Sequence, residues 1–182
     1  MSVKVKLFAV SLIMFMLVGV GNGFAASKAS IDRGVVKSLA EFAEVVDGGE
    51  ALLDRAEGVL VFPKVTKAGL LIGGEKGEGA LLIDGQTVGY YQTIAASIGL
   101  QLGVQVRSQF IVFLDVDALE DFQTSDGWEV GVDGSVALVE LSAGSSVDSA
   151  SYNEPVIGFI IAGKGLMYNL TLEGSKISEI HP

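Results

Sequence analysis

Ile31, Val35, Leu39, Phe42 and Val46 follow one another at spacings of four, four, three and four. That places them on one stripe of an α-helix over residues 29–47. Lys37, Glu41, Glu44 and Asp47 fall off the stripe, and the run Asp47-Gly48-Gly49 ends it. The segment EALLDRAEG, ending at Gly58, predicts a second short helix. Either both helices cover a sheet or their apolar stripe meets lipid.

From Gly58 onward the period changes from helical to alternating. GVLVF, GLLIGG, GALLID and TVGYYQTIAA read as successive strands, with a turn at FPKVTK and a tight hairpin at GEKGEG. Asp84-Gly85 marks a further hairpin, because that pair tolerates the positive φ of tight turns. The run IGLQLGVQVR alternates most cleanly. Ile98, Leu100, Leu102, Val104 and Val106 share one face, while Gly99, Gln101, Gly103, Gln105 and Arg107 share the other. A face of glycine and glutamine lets a second backbone or a ligand come close. QFIVFLDV is a fully apolar strand, and DALEDF a short helix that Asp117 can cap. WEVGVDGSVALVEL reads as a strand pair, SAGSSVDSASYNEP as a long polar loop, and the end as two or three strands joined at GKG. Helices followed by dense short strands predict one α+β domain, an antiparallel curled sheet or partial β-barrel covered by N-terminal helices.

The first 25 residues have a separate character. Lys4 and Lys6 precede the apolar run 7–20, and Gly23 and Ala25 occupy the −3 and −1 places of a cut after Ala25. This is the pattern of a signal peptide over residues 1–25, leaving residues 26–182 as the domain of an exported, periplasmic protein. The formal charge of the chain is −10, and removing the leader takes away two lysines and no acid. So acidic a surface repels nucleic acid, whose binding rests on neutralising phosphates. The chain has no cysteine, which excludes a lipid-modified cysteine anchor, disulfides, thiol catalysis and thiolate metal sites.

The 24 glycines invite a phosphate-loop reading, which the spacing rejects. GGEKGEGA lacks the Gly-Lys-Ser/Thr of a P-loop, and a strand follows it where a dinucleotide fold needs a helix. Its glycines are better read as hairpin residues of positive φ. His181, the only histidine, stands at the C-terminus, so no Ser-His-Asp set can form. The acids of DVDALED fit helix capping better than a calcium loop. Neither catalysis nor a cofactor or metal is expected.

Binding remains. Lys64 and Lys67 flank the FPKVTK turn, Lys76 lies in GEKGEG, Phe62 is close by in sequence, Arg107 ends the Gly/Gln strand and Trp128 begins another. Read together, these form a basic rim with exposed aromatics for a lipid headgroup, beside glycine-lined walls at Gly99, Gln101 and Gly103 for acyl chains. Read singly, the lysines are ordinary solvated residues.

The stretches AEGVLVFPKVTKAGLLIGGEKGEGALL, ASIGLQLGVQVRSQFIVFL, GWEVGVDGSVAL and GKGLMYNLTLEGSKI resemble the SYLF domain, from about Ala29 to Ile180. The resemblance implies a lipid-binding domain. Eukaryotic members bind phosphoinositides and membranes through a basic amphipathic helix, fungal members also bind actin, and bacterial members look like exported or lipoprotein forms. In this chain the matching helix carries only Arg33 and Lys37 against Asp32, Glu41, Glu44 and Asp47. The expected function is therefore a non-enzymatic lipid or membrane-surface binding protein of the bacterial envelope. The alternative is a structural module that forms a homo-oligomer or binds an envelope protein through a sheet edge.

Overall fold

The computed structural model describes residues 26–69, 72–98, 103–140, 154–162, 172 and 174–182. The leader, the wall positions Gly99 and Gln101, most of the long polar loop and the GKG junction lie outside the described residues. Among those described, α1 spans Lys28–Val45, α2 Gly49–Asp54 and α3 Val116–Thr124. The strands are β1 Gly58–Gly69, β2 Ile72–Ile83, β3 Gln86–Ile98, β4 Gly103–Phe113, β5 Trp128–Glu129, β6 Ala137–Glu140, β7 Val156–Ala162 and β8 Lys176–Ile180.

They form one curled sheet in the order β5-β8-β3-β2-β1-β4-β7-β6. The expected α+β class with an N-terminal helical cover is the observed one. Every pairing is antiparallel except the edge pair of β6 and β7, which is parallel. The strand pair expected within WEVGVDGSVALVEL does not form. β5 joins β8 and β6 joins β7, at opposite edges of the sheet. Local spacing could not reveal that, because each segment takes its partner from far along the chain.

The apolar stripe of α1 behaves as its spacing requires. Ile31, Val35 and Phe42 are buried and Leu39 packs against them. Gly48 at φ 76° turns the chain out of the helix. On the sheet the stripe meets Val59, Val61, Ala80, Leu82, Phe110, Val112, Ile157 and Phe159. The Phe42 ring lies 4.7 Å from that of Phe110 and 5.0 Å from that of Phe159. At the other end of the helix, Tyr90 Oη of β3 donates to Asp32. The helix therefore crosses the strands instead of running along them. At about 10 Å wide, it covers a fraction of strands that are about 40 Å long.

The opposite face has its own core. Leu60, Phe62, Leu81, Ile111, Phe113 and Ile160 pack there with Leu119 and Phe122 of α3 and with Trp128. The cap of α3 is Asp115, whose side chain accepts from the Ala118 N–H at 3.0 Å, and not Asp117, which sits in the first turn.

The largest revision concerns the first strands. FPKVTK is no turn and GEKGEG no hairpin. β1 runs unbroken through FPKVTK, and β2 carries GEKGEG in mid-strand. A β-bulge between Val61 and Lys64 absorbs Pro63, which has no N–H for the ladder. Gly77 and Gly79 do not take positive φ. They are small for lack of room: a Cβ on Gly77 would lie 2.7 Å from Val65 Cγ2, and one on Gly79 would strike the Val61 carbonyl oxygen. The Asp84-Gly85 turn does form, with φ of 50° and 72°. IGLQLGVQVR is likewise not one strand. It ends β3 and begins β4, with residues 99–102 outside the described structure.

Candidate functional site

Cross-strand partners share a face, so the register sorts the basic residues. Lys64 pairs with Glu78, and Thr66 with Lys76; Thr66 also pairs with Val106, and Lys76 with Ile94. These rows lie on the helix face. Lys67 pairs with Glu75 and Gln105, and Val65 with Arg107. These rows lie on the opposite face. The expected single rim of Lys64, Lys67 and Lys76 is thus split between the two sides of the sheet.

On the helix face, α1 and the β1–β2 ribbon enclose a cleft of about 690 Å³. Lys37, Lys64 and Lys76 line it together with Ser30, Ser38, Thr66, Glu41 and Glu78. Gly34 lets the helix approach, since a Cβ there would sit 2.8 Å from Pro63 Cγ. Lys76 Nζ lies 3.3 Å from Glu78, whose second oxygen accepts from the Ala26 N–H at 2.7 Å. Beyond this cleft no helix among the described residues lies over the sheet. Ile94 is 47% exposed, Val104 69% and Val106 44%. Ala68, Gly74 and Ala96 beside them are also exposed, so the surface is smooth and mostly apolar.

The two aromatics expected at the rim are not there. Phe62 is fully buried, and Trp128 is buried against the rings of Phe113 and Phe122. The bulge reverses the side to which β1 sends its residues. Phe62 therefore points into the opposite core although Lys64, two positions on, faces the cleft.

Arg107 is buried as well, and ends in a polar cluster. Its Nη2 donates to Glu75, and Lys67 Nζ lies 3.0 Å from the same carboxylate. The Gln109 carboxamide, with its oxygen turned to the guanidinium, accepts from Nε at 3.1 Å and Nη2 at 2.9 Å. Nη1 is buried with no partner among the described residues. Burial pulls the Arg107 pKa below its ordinary value, and Glu75 opposes that pull through its charge and hydrogen bond. Gly103 opens β4 opposite Gly69 on this same face. Glu75 and Gln109 were not among the expected site residues. The signal for Glu75 was an acid alternating with glycines opposite a lysine, readable only once GEKGEG is taken as a strand.

A split basic surface on a one-sheet scaffold, with an uncovered apolar end, has the make-up of a binding domain. Residues 94–181 match the family model described as Ysc84, Las17-binding protein actin regulator. That match, from late β3 through β8, agrees with the resemblance to the SYLF family that the sequence motifs carry. The family is one of binding domains. No curated protein matches the chain.

Proposed function

We propose that this protein is a non-enzymatic lipid or membrane-surface binding protein of the bacterial cell envelope. The observation that carries the reading is the open end of the helix face, where Ile94, Val104 and Val106 stand exposed next to the lysine-lined cleft. Burying such a side chain in hydrocarbon contributes about 1.5 kcal/mol or more. Lys37, Lys64 and Lys76 outnumber Glu41 and Glu78 in the cleft, within a chain of net charge −10. That local excess suits an anionic headgroup. Among the described residues no helix is long and apolar enough to cross a bilayer, which fits contact at a surface.

The contact between Ala26 and Glu78 supports export with cleavage. A cut after Ala25 would turn the Ala26 amide into an ammonium held by the Glu78 carboxylate, a stronger, charge-assisted bond.

Flotation with phosphatidylglycerol-containing vesicles tests the reading. The chain is expected to float, and to keep floating at raised salt, because apolar burial is not screened as charge is. The double variant V104D/V106D should lose at least about tenfold in binding, since two buried valines are worth several kcal/mol, while its melting temperature stays put. Equal flotation of that variant, or none by the native chain, defeats the proposal.

A second reading has one observation in its favour. β8 pairs with β3 only over Tyr90–Ile94, so among the described residues β3 from Ala95 to Ile98 has no ladder partner on that side. Two copies could pair there. Gel filtration of the chain without lipid would then show a dimer.

A further inference from the structure

The polar cluster on the opposite face is not used by the membrane reading, and it is unbalanced. Arg107 and Lys67 bring two positive charges against the single carboxylate of Glu75. The Arg107 side chain is 1% exposed, that of Glu75 7% and that of Lys67 12%. Glu75 and Gln109 satisfy Nε and Nη2, which leaves the Nη1 protons without an acceptor among the described residues. A buried donor without a partner costs about 1–3 kcal/mol, and more when charged. A buried group left unsatisfied in a native fold calls for an explanation, and an ion that completes it is one.

The register shows how an anion would reach it. Moving toward the open end, the row after Arg107–Val65–Gly77 is Gln105–Lys67–Glu75, and the next is Gly103–Gly69–Gly73. Three adjacent strands thus present bare backbone immediately beyond the charged row, where side chains would otherwise close the face. Gln105 at the border is exposed. Behind Arg107, in the row of Gln109, the face is filled by Phe62 and Ile160, both buried. There is no room in that direction for an acyl chain, so any substituent on the anion must lie outward, over the glycines.

We propose that Arg107 and Lys67, on the face of the sheet opposite α1, hold one small oxyanion, a phosphate or carboxylate group that enters over the Gly69–Gly73–Gly103 row. Glu75 acts as a positioning residue. It orients both cations and lowers the affinity for the anion by the charge it contributes.

Equilibrium dialysis of the native chain against inorganic phosphate, dihexanoyl phosphatidate and butyrate distinguishes a free ion, a lipid headgroup and a carboxylate. At least one of the three is expected to bind. Lys67→Gln keeps the Arg107–Glu75 pair and should weaken that binding about tenfold, the worth of one charge-assisted hydrogen bond. Glu75→Gln should strengthen it, the reverse of what loss of a merely structural partner would do. Melting curves identify any variant that fails to fold, and Lys67→Gln alone then decides the matter. Failure of all three ligands to bind, or unchanged affinity in Lys67→Gln, overturns the proposal. Vesicle flotation by Lys67→Gln should match the native chain, so this site and the valine surface can fail separately.

Discussion

The two ends of the sheet are built on opposite plans. At one end, from Gly58 to Val61 on β1 and from Ile111 to Phe113 on β4, helices lie on both faces and nearly every inward residue is apolar. At the other, beyond the bulge, the same strands carry Lys67, Glu75 and Arg107 on one face and Val104, Val106 and Ile94 on the other. The first end has the composition of a core and the second has charge inside and apolar side chains outside. That inversion cannot stabilise a monomer. It teaches that the closed end supplies the folding energy and leaves the open end free for contact.

The largest expected effect tests this division directly. Phe42→Ala empties a site packed against Phe110 and Phe159, and should cost about 3–5 kcal/mol. Val104→Ser, at a position 69% exposed, should change stability by less than about 0.5 kcal/mol. Chemical denaturation of both variants checks the contrast. Similar losses would mean that the open end also belongs to the folding core.

Gly79→Ala comes next. The added methyl meets the Val61 carbonyl oxygen and lies 2.7 Å from Phe62 Cδ1, at the junction of the two ends. Overpacking of this kind costs about 1–3 kcal/mol. Because the bulge beside Val61 sends Lys64 to one face and Arg107's partner Val65 to the other, the variant should also blunt binding at both surfaces. A melting temperature equal to the native value would show that the ribbon can part at no cost.

The closed end was legible in the sequence because its signals are local. The stripe of α1, the apolar run of β4 and the Asp84-Gly85 turn each state their structure within a dozen residues. The open end was not, for two physical reasons. Glycine and proline in FPKVTK and GEKGEG carry the marks of turns, yet here they serve close approach and a bulge within long strands. Alternation also tells which residues share a face without telling which face is covered. Val104 and Val106 were rightly grouped together, but the coverage depends on a helix that crosses the sheet instead of following it. Arg107 was singled out for its charge, and its burial depends on Glu75, which lies 32 positions earlier in the chain.

The smallest expected effect concerns the anchor of α1 on β3. Tyr90 Oη lies 3.1 Å from Asp32 Oδ2 and 3.2 Å from Oδ1, and the Lys28 ammonium sits 5.4 Å from the centre of the same ring. Burial raises the Tyr90 pKa, and the hydrogen bond to Asp32 and its charge raise it further. Tyr91 is raised too, by burial and then by Glu179. In both cases the folded state holds the phenolic proton more tightly than the unfolded chain, whose tyrosines titrate near pH 10. The stabilisation is therefore complete below about pH 10 and is lost as the pH climbs through the raised folded values. Melting temperatures should fall on that alkaline limb more steeply for the native chain than for Tyr90→Phe, which has no proton to lose there. Parallel limbs would show that Asp32 does not hold the Tyr90 proton, and that packing of the stripe alone fastens α1 to the closed end.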